Sequence, residues 1–242
     1  PRYTKNLTVW PNFKSSANSD AWLVKNHDKI KKMEPRVLVI NFCNGLTPED
    51  QQKKVEELRA ALTESTRYHG YKDKKAKPFV EWKIAKIVDL SDPKPYPETP
   101  SDNCTKYPQK NLKDEMNFIY KDLYNEKFAE YYGYKDPKNP SRYLKLNELV
   151  AKGIIHEVWF FAYQRRQHGG SFECTEWKPV YDANFKRVGD EHRMAGNGGD
   201  PEEPWFGRSL RILFMNAERG PGCAMESLSH SFEGMAHADC IP

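Results

Sequence analysis

The feature that most constrains the fold is an alternation, along the chain, of short apolar runs with segments of helical periodicity. The apolar runs have the length of buried strands and are residues 37–41, 79–90, 155–163 and 210–216. The segments of helical periodicity are residues 47–62, 113–132, 144–152 and 223–238. Because strands and helices alternate, we predict an α/β fold in which helices cover a mostly parallel or mixed sheet.

Local signals support two of these helices and leave one long stretch unassigned. Thr47 can cap a helix that begins at Pro48, with Asp50 at the third position after the cap. Gly153 can take the left-handed conformation that ends a helix. Residues 168–208 show no clear periodicity, so we predict a long irregular loop before the last strand–helix unit. That loop is either a flexible lid over a site or an excursion held by a disulfide through Cys174.

The length and charge of the chain exclude several classes of protein. No linker divides residues 36–242, so we predict an N-terminal extension at residues 1–35 and a single α/β domain at residues 36–242. The 38 basic and 34 acidic residues give a net charge of +4, a mixed surface that predicts no nucleic-acid partner. No apolar run approaches the roughly 18 residues that cross a bilayer, so no membrane span is predicted.

Indirect features indicate an exported protein, secreted or at the cell surface. The chain starts with Pro1 rather than methionine, and Asn6 and Asn103 begin N-glycosylation sequons. The five cysteines form no C-x-x-C pair, so no zinc or redox motif is indicated, and their odd number fits one or two disulfides with a spare thiol or no disulfide at all. The aromatic-rich extension can exchange between subunits, which would produce a homo-oligomer.

Ligands of open α/β sheets bind beyond the carboxyl ends of the strands, which singles out the residues that follow the predicted strands. Tyr163 and Asn216 stand at two such ends and are predicted to bind substrate. Glu218 and Arg219 follow directly, and they can serve as an acid, base or nucleophile and as a holder of anionic or hydroxylated groups. The alternative is a Glu–Arg pair that only stabilises the turn.

Two further charged residues, Glu191 and Arg193, come from the unassigned stretch and carry the same two interpretations. If two of Glu191, Glu218 and Glu226 converge, glycoside hydrolysis by paired carboxylates becomes open to the protein. We therefore predict a catalytic group formed by Glu218, Arg219, Glu191, Arg193 and the last helix.

The last helix carries Glu226, His230 and Glu233 at spacings that place them on one face. Two carboxylates and an imidazole can ligate a divalent metal such as zinc, or can orient His230 as a general base. The alternative is a polar face turned to solvent, opposite the apolar face of the helix. That apolar face is predicted to consist of Met225, Leu228, Phe232 and Met235.

Two function hypotheses follow. The first is a hydrolase, with or without a metal, that acts on an extracellular polymer, either polysaccharide or peptide. The second is a non-catalytic protein that binds carbohydrate or belongs to a surface assembly. Trp177 and Trp205 support the second, because indoles in loops can stack on sugar rings, although they can equally anchor a loop to the core.

Three segments of the chain resemble a group of uncharacterised exported bacterial α/β proteins. They are the strand His156-Glu-Val-Trp, the stretch Arg193-Met-Ala-Gly196, and the E-S-x-x-H-x-x-E pattern from Glu226 to Glu233. The resemblance covers mainly the C-terminal part of the chain, with part of the first strand and helix. It implies export, and no particular reaction.

Overall fold

The computed structural model describes residues 3–15, 19–43, 46–67, 73, 75–91, 106–109, 118–164, 171–197 and 200–237. The strands are β1 (Val9–Trp10), β2 (Lys32–Met33), β3 (Arg36–Asn41), β4 (Lys83–Asp89), β5 (Lys135–Asp136), β6 (Asn139–Tyr143), β7 (Glu157–Ala162), β8 (Cys174–Tyr181), β9 (Arg187–Gly196) and β10 (Leu210–Asn216). The α-helices are α1 (Ser19–Asn26), α2 (Pro48–Ser65), α3 (Glu126–Tyr132), α4 (Leu146–Ala151) and α5 (Pro221–His237). Short 3₁₀ helices lie at His27–Lys29 and Tyr120–Tyr124.

Six of the strands form one mixed sheet in the order β4-β3-β7-β10-β8-β9. Neighbouring strands from β4 to β10 are parallel, whereas β8 runs antiparallel to both β10 and β9. Helices α3 and α4 contribute to the core on one face of the sheet, and α2 and α5 contribute to the core on the other. The predicted α/β fold with a mixed sheet is therefore confirmed.

Alternate residues of the central strands enter two separate cores. On β7, Val158 and Phe160 lie in the core beside α3 and α4, while Trp159 and Phe161 lie in the core beside α2 and α5. Every residue of β7 is buried. Because helices cover both faces, the parallel strands are apolar on both sides, which is why β3, β7 and β10 are visible in the sequence as apolar runs.

The predicted helix boundaries at Thr47 and Gly153 are confirmed. The Thr47 hydroxyl accepts a hydrogen bond from the Asp50 amide at 3.1 Å, and the Asp50 carboxylate accepts one from the Thr47 amide at 3.4 Å. This reciprocal capping satisfies amide groups that the first turn of α2 leaves without helical partners. Gly153 follows α4 with φ of 63°, a conformation that a side chain would strain.

The stretch predicted to be a long irregular loop instead contains β8 and β9, which pair as an antiparallel hairpin. Strand β8 lacks an apolar alternation because charged side chains, Glu176 and Lys178, occupy alternate positions beside a cavity described below. Cys174 is buried and its thiol is free. The interpretation of this stretch as an excursion held by a disulfide through Cys174 is therefore corrected.

The helix predicted over residues 113–132 is shorter and broken within the described residues. Asn125 interrupts it, because its side chain accepts a hydrogen bond from the Phe128 amide at 2.9 Å and so starts α3 anew. A 3₁₀ helix, Tyr120–Tyr124, precedes that cap. Residues 113–117 lie outside the described part of the chain.

Helix α5 packs on β9 through small residues, while Leu228 of the predicted apolar stripe is buried in the core and Met225 packs against it. A Cβ atom on Gly234 would collide with the backbone of Gly196 in β9, so the two backbones are in contact. Close approach excludes large side chains from this face, and Phe232 of the predicted stripe is 57% exposed. The side chain of Met235 lies outside the described residues. The buried residues of α5 are Ala224, Ser227, Leu228 and Ser231.

The segment before β3 lies against the amino ends of the parallel strands. Backbone hydrogen bonds of 2.8 Å join Met33 to Phe79 and Glu81. The Ser209 amide donates to the Asp20 carboxylate of α1 at 2.9 Å. These contacts place the N-terminal segment beside the sheet, while the division into an extension and a domain stays a prediction.

The predictions about disulfides and about a membrane span can be compared with the described residues. Cys43, Cys174 and Cys223 form no disulfide bond, and Cys104 and Cys240 lie outside the described residues. Among the helices that the structure describes, none has both the length and the apolar character needed to span a membrane.

Candidate functional site

The residues predicted to act at the carboxyl ends of the strands enclose little space. Asn216 ends β10, and its side chain accepts a hydrogen bond from the Glu218 amide at 2.9 Å. Asn216 and the exposed residue Arg219 both line a cavity of about 50 Å³. This cavity has room for roughly one or two water molecules. Tyr163 follows β7 and packs against the core beside α2 and α5. Within the described part of the chain, this end of the sheet brings Asn216, Glu218 and Arg219 together beside that small cavity.

Glu191 and Arg193 lie at the opposite end of the sheet from that group. Leu210, the first residue of β10, pairs with Trp177 of β8. Arg193 of β9 pairs with Lys178, the next residue of β8, so it lies beyond the amino end of β10. The seven residues of β10 separate its two ends by about 20 Å. Arg193 and Glu191 form an exposed ion pair with each other at 2.9 Å. The structure thus does not bring them to Glu218 and Arg219.

The predicted group on α5 is only partly assembled. Nε2 of His230 lies 2.9 Å from the Glu173 carboxylate, and Nδ1 lies 3.1 Å from that of Glu233. Glu226 is exposed and takes part in no ion pair within the described part of the chain. Both ring nitrogens of His230 therefore face carboxylates, and its role as a general base stays a prediction. Sequence reasoning included Glu233 and missed Glu173, which directly precedes β8.

The structure offers no ready-made metal centre among the residues it describes. Within those ranges, no three His, Cys, Asp or Glu side chains are placed to hold a metal ion together. The zinc site predicted from Glu226, His230 and Glu233 therefore stays a prediction, which metal analysis of the protein can test.

Trp177 and Trp205 pack around His192 instead of forming an exposed platform. Their ring centroids lie 5.0 Å and 4.7 Å from the imidazole, and Trp205 stacks on it with an interplanar angle of 12°. Both tryptophans are half-buried. This packing favours a role in anchoring the segment around Trp205 to β8 and β9 over stacking on a sugar ring.

A cavity of about 320 Å³ lies at the amino end of the parallel strands. Its lining includes the residue immediately before each of the four parallel strands, namely Pro35, Trp82, His156 and Ser209. The N-terminal segment and α5 complete it with Trp10, Asp20, Leu23, Leu228 and Phe232. We call this space the amino-edge cavity, and its volume falls within the range of small-molecule sites.

A second hollow of about 790 Å³ lies between α1 and the turn that joins β8 to β9. Exposed Phe185, which has φ of 60°, stacks on His27 at this hollow. None of its described lining residues is a buried polar group without a partner. The amino-edge cavity differs in this respect, which makes it the stronger candidate.

One wall of the amino-edge cavity is a row of charged side chains across three neighbouring strands. Arg211 of β10 pairs in register with Glu157 of β7 and with Glu176 of β8. Its guanidinium donates to Glu157 at 3.0 Å and to Glu176 at 3.1 Å. Lys178 lies 2.8 Å from Glu176, and the Ser231 hydroxyl of α5 donates to Glu176 at 2.8 Å. We call Glu157, Arg211 and Glu176 the charged ladder.

The two carboxylates of the ladder are buried, and Arg211 between them is half-buried. Burial by itself would raise the pKa of the Glu176 carboxyl, but Arg211 and Lys178 outweigh burial and keep that pKa well below its ordinary value. Burial would likewise lower the pKa of Lys178, and Glu176 outweighs it and raises that pKa. Glu157 accepts further hydrogen bonds from the indoles of Trp82 and Trp159, at 2.9 Å and 3.2 Å. Both carboxylates are therefore saturated with donors.

Beside the ladder, three buried polar groups have no partner among the described protein atoms. They are the Trp10 indole nitrogen, Nε2 of His156 and the Ser209 hydroxyl, and all three residues line the cavity. Nδ1 of His156 accepts a hydrogen bond from the Arg36 amide at 3.1 Å. Burial, and then the charge of Arg36, lower the pKa of His156 to about 3, so the ring is neutral and Nε2 carries its proton. Trp10 and His156 thus present two neutral N–H donors, with ring centroids 4.6 Å apart.

This arrangement suits binding better than acid–base chemistry. A general acid must hold a proton near neutral pH, and Glu176 is kept ionised by its partners. Donors without partners are costly when buried, and a ligand oxygen would satisfy them. A cavity of this size with largely apolar walls has the character of a small-molecule site, and the three unpartnered groups belong to residues that line it.

Sequence reasoning missed this site, although one signal was present. Glu157 and Arg211 stand near the start of strands that are otherwise apolar, and a charge in a buried strand needs an opposite charge nearby. That rule predicts an ion pair between these two strands. It does not predict the cavity, because the contribution of Trp10 depends on where the N-terminal segment packs.

Comparison with known proteins adds no further information, since no family model, curated protein or solved structure matches the chain. The resemblance to exported bacterial proteins accordingly stays a prediction.

Proposed function

We propose that this protein is a non-catalytic binding protein that holds a small organic molecule in the amino-edge cavity. The observation that carries the proposal is the set of buried donors on Trp10, His156 and Ser209, which line a cavity of ligand size and lack partners among the described residues. Apolar walls from Leu23, Leu228 and others supply the contact area that such a ligand needs.

The hydrolase hypothesis remains a prediction, but the contacts support it less well. Its candidate residues are divided between the two ends of the sheet, with Glu218 and Arg219 at one and Glu191 and Arg193 at the other. A hydrolytic site needs its acid, base and substrate groups within hydrogen-bond reach of one substrate. Export, a polymeric substrate and a homo-oligomer likewise remain predictions.

The proposal is tested by whether an apolar probe of the right size occupies the cavity. Divided by the volume of one water molecule, 320 Å³ corresponds to about ten non-hydrogen atoms, which matches isopropylbenzene. Saturation-transfer NMR of the purified chain with isopropylbenzene should show binding, with a Kd on the order of a millimolar or tighter.

A filled-cavity variant links that signal to the site. Leu23 is half-buried on α1 and lines the cavity, so Leu23→Trp should fill part of the space and abolish the NMR signal. Ser229→Trp adds the same side chain to the exposed face of α5 and should leave the signal intact. Binding that is absent from the native protein, or that survives Leu23→Trp in a folded variant, would contradict the proposal.

A further inference from the structure

We infer that the ligand of the amino-edge cavity is an uncharged, mostly apolar molecule that carries a carbonyl-type oxygen, and that this oxygen accepts hydrogen bonds from Trp10 and His156. The inference rests on the proposed function and specifies the chemistry of its ligand. Three features support it: the charge balance of the lining, the kind of group left without a partner, and the apolar remainder of the lining.

The charge balance argues against an ionic ligand. The charged residues that line the cavity are three acids and three bases, namely Asp20, Glu157, Glu176, Lys178, Arg208 and Arg211. Within this set, the ladder and Lys178 already pair with one another at 2.8 to 3.1 Å. An ion entering the cavity would lose its hydration and meet no net opposite charge in return. A neutral molecule avoids that cost.

The groups without partners specify what the ligand must offer. An indole N–H can only donate, and His156 in its neutral form donates from Nε2, because its Nδ1 already accepts from Arg36. The Trp10 indole nitrogen and Nε2 of His156 are buried and make no hydrogen bond to a described protein atom. A ligand oxygen that accepts from these donors gains affinity by removing the penalty of two buried, unmade hydrogen bonds.

The apolar remainder of the lining argues against a sugar. Around the two donors, the cavity presents apolar side chains from Leu23, Met33, Val80, Trp82, Leu228 and Phe232. A sugar carries a hydroxyl on nearly every carbon, and each would need its own hydrogen-bond partner on entering this space. A molecule with one oxygen and an apolar body satisfies both kinds of surface.

The experiment compares probes of nearly equal shape on matched variants. Acetophenone and isopropylbenzene have the same number of non-hydrogen atoms, and the ketone oxygen of the first replaces a methyl group of the second. Trp10→Phe removes the indole donor. It should weaken acetophenone binding roughly three- to tenfold more than isopropylbenzene binding, because only the ketone loses a hydrogen bond. Trp177→Phe is the matched control, since its indole nitrogen is also buried without a partner but does not line this cavity, and it should change neither affinity.

Benzoate, an anion of the same size, should bind at least tenfold more weakly than acetophenone. If both neutral probes bind and Trp10→Phe weakens them equally or not at all, the inference is overturned while the proposed function stands. Benzoate or glucose binding as tightly as acetophenone also overturns it. If neither neutral probe binds, the proposed function fails and the inference fails with it. Circular dichroism and thermal unfolding of each variant separate a lost contact from a lost fold.

Discussion

A buried carboxylic acid on the face of the sheet opposite the charged ladder gives a sharp test of the structure. Glu203 is 3% exposed, and its two oxygens accept hydrogen bonds from the Tyr124 and Thr175 hydroxyls at 2.9 Å and 2.8 Å. Burial raises the pKa of this carboxyl from 4.5 to about 7, the two hydroxyls oppose the rise, and the nearby charges of Asp200 and Glu176 add to it. The folded protein therefore holds a proton on Glu203 that the unfolded chain releases.

The sign and size of the effect follow from this difference in pKa. Below pH 4.5 Glu203 is protonated in both the folded and the unfolded state, so its contribution to stability is fully present. Between pH 4.5 and 7 Glu203 is protonated only in the folded state, so this contribution falls as the pH rises. At about 1.4 kcal/mol per pH unit, the difference between 7 and 4.5 amounts to about 3 kcal/mol. Glu203→Gln keeps the shape and removes the ionisation, so it should raise the free energy of unfolding by up to about 3 kcal/mol at pH 8.

The assay is urea denaturation followed by tryptophan fluorescence at a series of pH values from 5 to 8. The native protein should lose stability across this range relative to Glu203→Gln, and the two should converge near pH 5. Glu202→Gln is the neighbouring control, because Glu202 is exposed and pairs with Lys121 at the surface, and it should follow the native curve. Parallel curves for the native protein and Glu203→Gln would refute the assigned burial of this carboxyl.

Three further substitutions test other parts of the fold by the same denaturation assay. Gly234→Ala should destabilise the protein by about 1–3 kcal/mol, because the added Cβ would collide with the β9 backbone. Gly222→Ala is the control and should be neutral or stabilising, because no atom lies within 4 Å of its added Cβ. Equal effects of the two substitutions would contradict the close packing of α5. Glu176→Gln leaves Arg211 with one carboxylate fewer and should cost about 3 kcal/mol, and a neutral result would show that the ladder is not buried. Thr47→Ala should cost about 1 kcal/mol and Thr47→Ser much less, since only the serine keeps the capping hydroxyl.

The parts of the fold visible in the sequence are those whose burial does not depend on distant partners. Strands β3, β7 and β10 lie between two layers of helices, so nearly every side chain is apolar and each run is evident. Strand β8 contains Glu176, which is buried, and Lys178, which is half-buried. In the sequence these charged residues indicate positions that face solvent, because nothing there shows that Arg211 pairs with Glu176. A hydrophobic pattern cannot reveal a strand whose polar side chains are satisfied by another strand.

The candidate site was harder to predict, for a related reason. Sequence reasoning placed it at the carboxyl ends of the strands, where open α/β sheets usually bind ligands. Here the N-terminal segment lies against the amino ends, and Trp10 contacts His156, a residue far along the chain. The packing of that segment determines where the enclosed space lies, and no local signal in the sequence reports it. Among the predicted site residues, neighbours in the structure are His230 and Glu233, Asn216 and Glu218, and the exposed pair Glu191 and Arg193.

The most direct test of the account is a crystal structure of the protein grown with acetophenone. We predict electron density for the ketone in the amino-edge cavity, with its oxygen within hydrogen-bond distance of the Trp10 indole nitrogen or of Nε2 of His156. Ordered waters that satisfy both donors and remain in place at saturating acetophenone would contradict it. In that case the cavity would be a hydrated structural feature and not a binding site.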